Sequence, residues 1–168
     1  MAPETYTFRD DGAIPNSVLP ALVYRSVDAA HSASDCEQLF AAHGWHGAWR
    51  NGIYPFHHFH SISHEVLGIV AGSVTVMLGG AAGRSLELAQ GDVAVLPAGL
   101  GHCNVGEDEL LVVGAYPNGM RWDLRRGDPD EHHEVMANIG RVPLPESDPV
   151  FGQAGPLVEL WGARWLGS

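Results

Sequence analysis

Four side chains in two short stretches of this sequence can act chemically together. His58, His60 and Glu65 lie between Gly52 and Gly72, and His102 lies between Gly91 and Gly106. Imidazole nitrogen and carboxylate oxygen suit first-row ions. In an extended strand, side chains two apart share a face, so His58 and His60 point the same way, about 7 Å apart along the chain. One ion with bonds of about 2.0–2.2 Å can draw both rings inward. An isolated His-x-His is more often a pair of polar residues on an exposed strand. Glu65 and His102 at their intervals reverse that preference, because three imidazoles and a carboxylate gathered without a cation would be expensive buried polar groups. The four residues therefore read as ligands of a divalent transition metal, Fe, Mn, Ni or Zn. Four donors around an octahedral ion leave two positions open, the pattern of a catalytic rather than a structural site.

Such ligands need strands that converge. Asn51-Gly52, Gly91-Asp92 and Pro97-Ala98-Gly99 supply turn chemistry. Between them the pattern predicts strands at Ile53–Ile62, Glu65–Ala71, Ser73–Leu78, Ser85–Leu88, Val93–Leu96, His102–Val105 and Leu110–Tyr116. Short strands with Gly-rich turns indicate a barrel or sandwich. Parity places Phe56, Ile62, Leu67, Ile69 and Asn104 inward, where they would line a largely apolar pocket for a small ligand. No Lys or Arg has clear inward parity beside the ligands, which disfavours a highly anionic substrate. Val66 and Val70 make the opposite face of Glu65–Ala71 apolar too, so that face must be covered by a second sheet, the tail or another copy.

The first thirty residues, with Pro15 and Pro20, read as an extended arm with an edge strand at Leu22–Arg25. Ser34 and Glu37 form a capping-box signature for one short helix that stops at Gly44. Asp128, Pro129 and Glu131 occupy the N-cap, N1 and N3 positions of a second helix ending near Gly140. Pro143, Pro145, Pro149 and Pro156 forbid regular structure over most of the remaining tail, and Val158–Trp161 alternates like a terminal strand. The tail is expected to wrap the barrel or reach a partner subunit.

Other reactive side chains have plainer readings. His64 and His57 have the parity opposite to their ligating neighbours, so His64 is expected to support the site from behind or lie at the surface. Cys103 reads as a packed, inert thiol, and His132 and His133 as solvated helix residues. Trp45, Trp49, Trp161 and Trp165 read as core or subunit contacts rather than substrate platforms.

Composition limits the alternatives. At 168 residues and 45% hydrophobic, one core can bury roughly 70% of the unfolded surface, so no second domain is needed. A formal charge of −11, with nine basic residues scattered among twenty acidic ones, argues against nucleic acid and anionic membranes as partners. No segment approaches the ~18 apolar residues of a membrane span, and no secretory leader pattern is present, so a cytoplasmic location is expected. Cys36 and Cys103 make no disulfide framework.

The intervals themselves match a known pattern. Glycine, five residues, His-x-His, four residues, Glu, six residues, Gly is met by Gly52, His58, His60, Glu65 and Gly72. Glycine, five residues, Pro-x-Gly, two residues, His is met by Gly91, Pro97, Gly99 and His102, while the Asn that would close the second motif is replaced by Gly106. The sequence thus resembles the cupin superfamily of RmlC-like, germin-like β-barrels. Ile14-Pro15-Asn16, Leu19-Pro20, His58–Ser61, His64–Gly68, Gly79-Gly80 and Asp148-Pro149-Val150 make it similar to the YjlB-type uncharacterised cupins over most of the chain. The resemblance implies an all-β, single cupin (jelly-roll) β-barrel with one or two short helices and an irregular C-terminal tail. Its barrel core would lie at about 50–116, with an N-terminal arm at 1–49 and a C-terminal wrap at 117–168. It also implies a homodimer. The leading functional expectation is a metal-dependent enzyme of oxygenase or isomerase type acting on a small organic molecule. The alternatives are a non-catalytic cupin that binds or senses a small molecule, with the metal organising the pocket, and a dimerisation domain whose site is vestigial.

Overall fold

The computed structural model of the chain describes residues 1–166. Its strands are β1 (Glu4–Phe8), β2 (Ser17–Tyr24), β3 (Trp45–Asn51), β4 (Glu65–Leu78), β5 (Arg84–Ala89), β6 (Val93–Leu96) and β7 (His102–Pro117). The α-helices are α1 (Ala33–Ala42), α2 (His132–Arg141) and α3 (Pro156–Leu166). All pairings are antiparallel, in the order β1-β2-β6-β4-β7-β3, with β5 hydrogen-bonded to the second half of β4. This is the mostly β architecture expected.

The sheet rolls on itself. Leu78 pairs with His102 at one end of the β4–β7 ladder and Val66 with Ala115 near the other. Thirteen residues of straight strand would span about 43 Å, yet Glu65 and His102 are in contact. The register shifts between Ile69 and Ser73 show where the ladder is broken. Bulges of this kind bend a strand and increase its twist. Gly72 sits there with φ +66°, and a Cβ would lie 2.1 Å from the Asp108 carbonyl oxygen, so only glycine permits the crossing.

Alternation along the strands divides the core in two. Leu67, Ile69, Val74, Val76, Ala94 and Leu96 pack in the barrel interior. Val66, Val70, Val93, Val95 and Val113 face the other way, against Cys36 and Phe40 of α1 and Leu157 and Trp161 of α3. A Cβ on Gly68 would meet Cys36 Sγ at 2.4 Å, which measures how closely α1 lies on β4. The outer face that would otherwise call for another copy is thus closed by helices of the same chain.

Several elements differ from expectation. Residues 52–64 do not form a strand: Pro55 has no N–H for a ladder, and only bridges at His58 and Phe59 remain. The breaks placed at Gly72 and between residues 105 and 110 are absorbed as bulges inside β4 and β7. The first fifty residues supply β1, β2 and β3, and β2 is an inner strand, with β1 at the edge. The cap of α1 is Ser32, accepting from the Asp35 N–H, rather than Ser34. Asp128 does cap the second helix, through a 3₁₀ turn at Pro129–Glu131.

The tail is more regular than expected, and the chain has three α-helices rather than one or two. Val158–Trp161 is part of α3 rather than a strand, because Leu157, Trp161 and Trp165 recur at helical spacing and turn one apolar side to β2. Trp161 Nε1 donates to the Pro20 carbonyl at 2.9 Å. The fully buried Asp148 accepts from the Tyr24 hydroxyl, from the Val150 and Phe151 N–H groups at 2.8 and 3.0 Å, and from the Leu157 N–H at 3.1 Å. No helix among the described residues is long and apolar enough to cross a membrane. Cys36 and Cys103 are both buried free thiols.

Candidate metal centre

His58 and His102 are tied by backbone. His58 N–H donates to the His102 carbonyl at 3.1 Å and His102 N–H to the His58 carbonyl at 2.9 Å. This pairing brings the loop before β4 against the start of β7. The rings are oriented by their Nδ1 atoms, each of which meets a backbone carbonyl: His58 that of Phe56 at 2.8 Å, His60 that of Asp123 at 2.5 Å, and His102 that of Leu100 at 3.1 Å. A carbonyl only accepts, so each Nδ1 carries the proton and, in a neutral ring, each Nε2 is left with a lone pair. Fixing one ring nitrogen to orient the other is how ligating histidines are commonly prepared.

One ring nitrogen from each of His58, His60 and His102 lies within 4.8 Å of the others, and all three residues are buried. Glu65, at the start of β4, places Oε2 2.9 Å from His60 Nε2 and Oε1 3.5 Å from His102 Nε2. His102 Nε2 is buried with no hydrogen-bond partner. An orphaned lone pair facing a buried carboxylate is costly unless a cation stands between them. The donor set therefore fits a divalent metal ion.

Charge is distributed accordingly. Burial, with the neighbouring His102 next, pushes His58 down to about 3. For Glu65, burial favours the acid form but is outweighed by His60 and His102, which hold the carboxyl well below its usual range. His60 is raised: burial opposes its proton, yet the charge and hydrogen bond of Glu65 prevail, helped by Asp123. The Asp123 segment is itself fixed. Its carboxylate accepts from Ser61 N–H at 2.6 Å and from Arg125 Nε at 2.8 Å, and Arg125 also binds Glu131 and Glu134 at 2.9 and 3.2 Å.

A cavity of about 570 Å³ opens beside these four residues, walled by Trp49, Ile53, Tyr54, Leu67, Tyr116 and Trp122, with Arg50 and Glu107 also on it. Of the five side chains expected on the wall, Leu67 lies there. Phe56 stacks behind Tyr54, Ile69 packs in the barrel interior, Asn104 donates to Glu107 at 2.8 Å, and Ile62 is half-buried away from the cavity. Trp49, taken as a core or subunit contact, is on this wall, while Trp45 and Trp161 are core residues. Tyr54, Tyr116 and Trp122 carried no signal of their own. Tyr116 follows bulges that erase strand parity, and Trp122 lies beyond the last strand.

A larger hollow, about 730 Å³, lies between β1, β2, α2 and α3, with His64 in its wall. His64 Nδ1 accepts from the Ala98 N–H at 2.9 Å and its Nε2–H donates to the Pro143 carbonyl at 3.1 Å. Burial lowers this ring to about 4. His64 is thus a neutral clamp between the second motif and the tail. His57 is half-buried and off the cavity wall, and burial raises the Cys103 thiol.

No protein-family model matches the chain. An uncharacterised protein, YjlB of Bacillus subtilis, is 37% identical over 160 residues, spanning 94% of this chain and 96% of that protein. Among solved structures, an acireductone dioxygenase from Bacillus anthracis with a cadmium ion in its active centre matches 54% of this chain and 61% of its own, at 18% identity and a TM-score of 0.39. A Lactobacillus farciminis oxalate decarboxylase in complex with formate matches 84% of this chain and 41% of its own, at 19% identity and a TM-score of 0.40. With the first histidine motif complete, the second complete up to its closing Asn, and the relationship to YjlB extending over nearly its whole length, the chain belongs to the YjlB family of cupin-type proteins.

Proposed function

We propose that the protein is a metal-dependent enzyme of oxygenase or isomerase type acting on a small organic molecule. The observation that carries this reading is the set of three Nδ1-tethered imidazoles whose Nε2 atoms are left to a shared space beside Glu65, at the wall of an open cavity. His58, His60, His102 and Glu65 would hold the ion. When bound, a divalent ion supplies Lewis-acid polarisation of a carbonyl or enolate oxygen, and redox chemistry as well if it is iron or manganese.

The chain's own groups do the rest. Glu65 brings the negative charge that offsets a dication. Leu67 and Ile53 keep one wall apolar, which strengthens electrostatic interactions nearby. Tyr116, whose hydroxyl accepts from Trp49 Nε1 at 2.8 Å, is held well above its ordinary range by burial and by the charge of Glu65. It therefore stays a neutral hydroxyl able to donate a hydrogen bond at the cavity wall. The test is to incubate ferrous, manganese, nickel and zinc forms with metabolite mixtures under air. Oxygen uptake or substrate loss supports the enzyme. Saturable thermal stabilisation by a metabolite with no product in any metal form favours a sensing role instead.

A further inference from the structure

Two stacks of aromatic rings flank the histidines. Tyr116 and Trp122 lie nearly parallel, with centroids 6.0 Å apart and planes 16° off, and Trp122 stands edge-on to His60 at 5.4 Å. Tyr54 and Phe56 stack at 5.0 Å and 17°, and Tyr54 stands edge-on to His58 at 5.3 Å. Trp122 and Tyr54 are both on the cavity wall and remain 45% and 47% exposed. Exposed aromatic surface concentrated at a concave site marks a place where something binds.

These rings are held before any ligand arrives. The Arg126 guanidinium lies 4.0 Å over the Phe56 ring, and Trp49 fixes the Tyr116 hydroxyl. The wall offers little to an anion beyond the metal position. Arg50, the one guanidinium on the described wall, is engaged by Glu37 through contacts of 2.5 and 3.3 Å. Glu107 adds a negative charge to the same wall.

We infer that the cavity takes a planar, conjugated ring compound bearing vicinal oxygens at one edge and no second anionic group. Its ring lies against Trp122 and Tyr54, and its oxygen edge faces His58, His60 and His102. This inference rests on the metal-centre reading above. Aromatic walls select flat π-faces, and the engaged Arg50 withholds the cation that a small dicarboxylate would need at its far end.

The zinc-loaded protein tests it, with 4-nitrocatechol as the probe, read by its visible absorbance, and oxalate as the rival. 4-Nitrocatechol should bind at least about tenfold more tightly than oxalate, and Trp122→Ala and Tyr54→Ala should each weaken it about fivefold or more. Both variants should keep stoichiometric zinc and unchanged oxalate affinity, and Trp122→Phe should recover most of the loss. Oxalate binding as tightly as the ring compound, or both alanine variants binding it unchanged, overturns the inference while leaving the metal centre intact. Protein that retains no zinc by elemental analysis overturns both.

Discussion

His102 points its Nε2 at Glu65 Oε1 across 3.5 Å, while its Nδ1–H is spent on the Leu100 carbonyl. In the neutral ring two electron-rich atoms then face each other inside the protein with no hydrogen between them. A cation held between them resolves that opposition.

Replacing His102 with Ala removes one of three convergent nitrogens. Metal content of protein purified without chelator should fall to about a tenth or less of the parent value. Elemental analysis alongside a far-ultraviolet spectrum checks this. Stoichiometric metal in the folded variant would contradict the ligand assignment.

Metal uptake should release protons. His60 has a raised value in the metal-free protein, so below that value its ring is protonated against Glu65 and a metal must displace the proton. Affinity should therefore fall as pH drops, by up to about tenfold per pH unit for one proton. Zinc titrations at several pH values in weakly buffered indicator dye measure this. Pure pH independence from 8 to 6 would count against it.

His64→Leu leaves the Ala98 N–H and Pro143 carbonyl unmatched in a buried place, which should cost about 2–4 kcal/mol in denaturant unfolding. The wild-type ring is held neutral down to about 4, below the value near 6.5 of an unfolded chain. Between those limits the unfolded state takes up the proton first, so stability present at neutral pH is lost as pH falls from 6.5 to 4, by at most about 3 kcal/mol from this group. The variant should lose less over that window, and an identical acid limb would refute the role.

Asp148→Ala strips the partner from Tyr24 and from three backbone N–H groups, including that of Leu157 at the start of α3. Stability should fall by about 3 kcal/mol or more. Tyr24→Phe, which removes one donor only, should cost about 1–2 kcal/mol. Chemical denaturation of both variants gives the comparison. Equal effects would show that Asp148 does not organise the turn.

The convergence of the candidate ligands was legible in the sequence because the His-x-His interval brings two rings to one side of any extended segment. That holds even though His58 and His60 occupy a loop with isolated bridges rather than a strand. What spacing could not disclose is tertiary. The carbonyl that orients His60 belongs to Asp123, 63 positions away. Tyr116 and Trp122 reach the cavity only through bulges and a turn that local pattern does not encode. Val158–Trp161 misled because four residues fit both an alternating and a helical period. The wider set Leu157, Trp161 and Trp165 decides for the helix, and Pro156 suits its first turn.

Synthesis order gives the Asp123 tether a further meaning. The ribosome delivers every candidate donor by residue 102, but the clasp that aims the middle ring arrives later and is itself braced by Arg125 against Glu131 and Glu134. A nascent chain halted after the barrel would own all its donors and still lack the aim of one. The full set of oriented side chains thus exists only once the last third of the chain has been made.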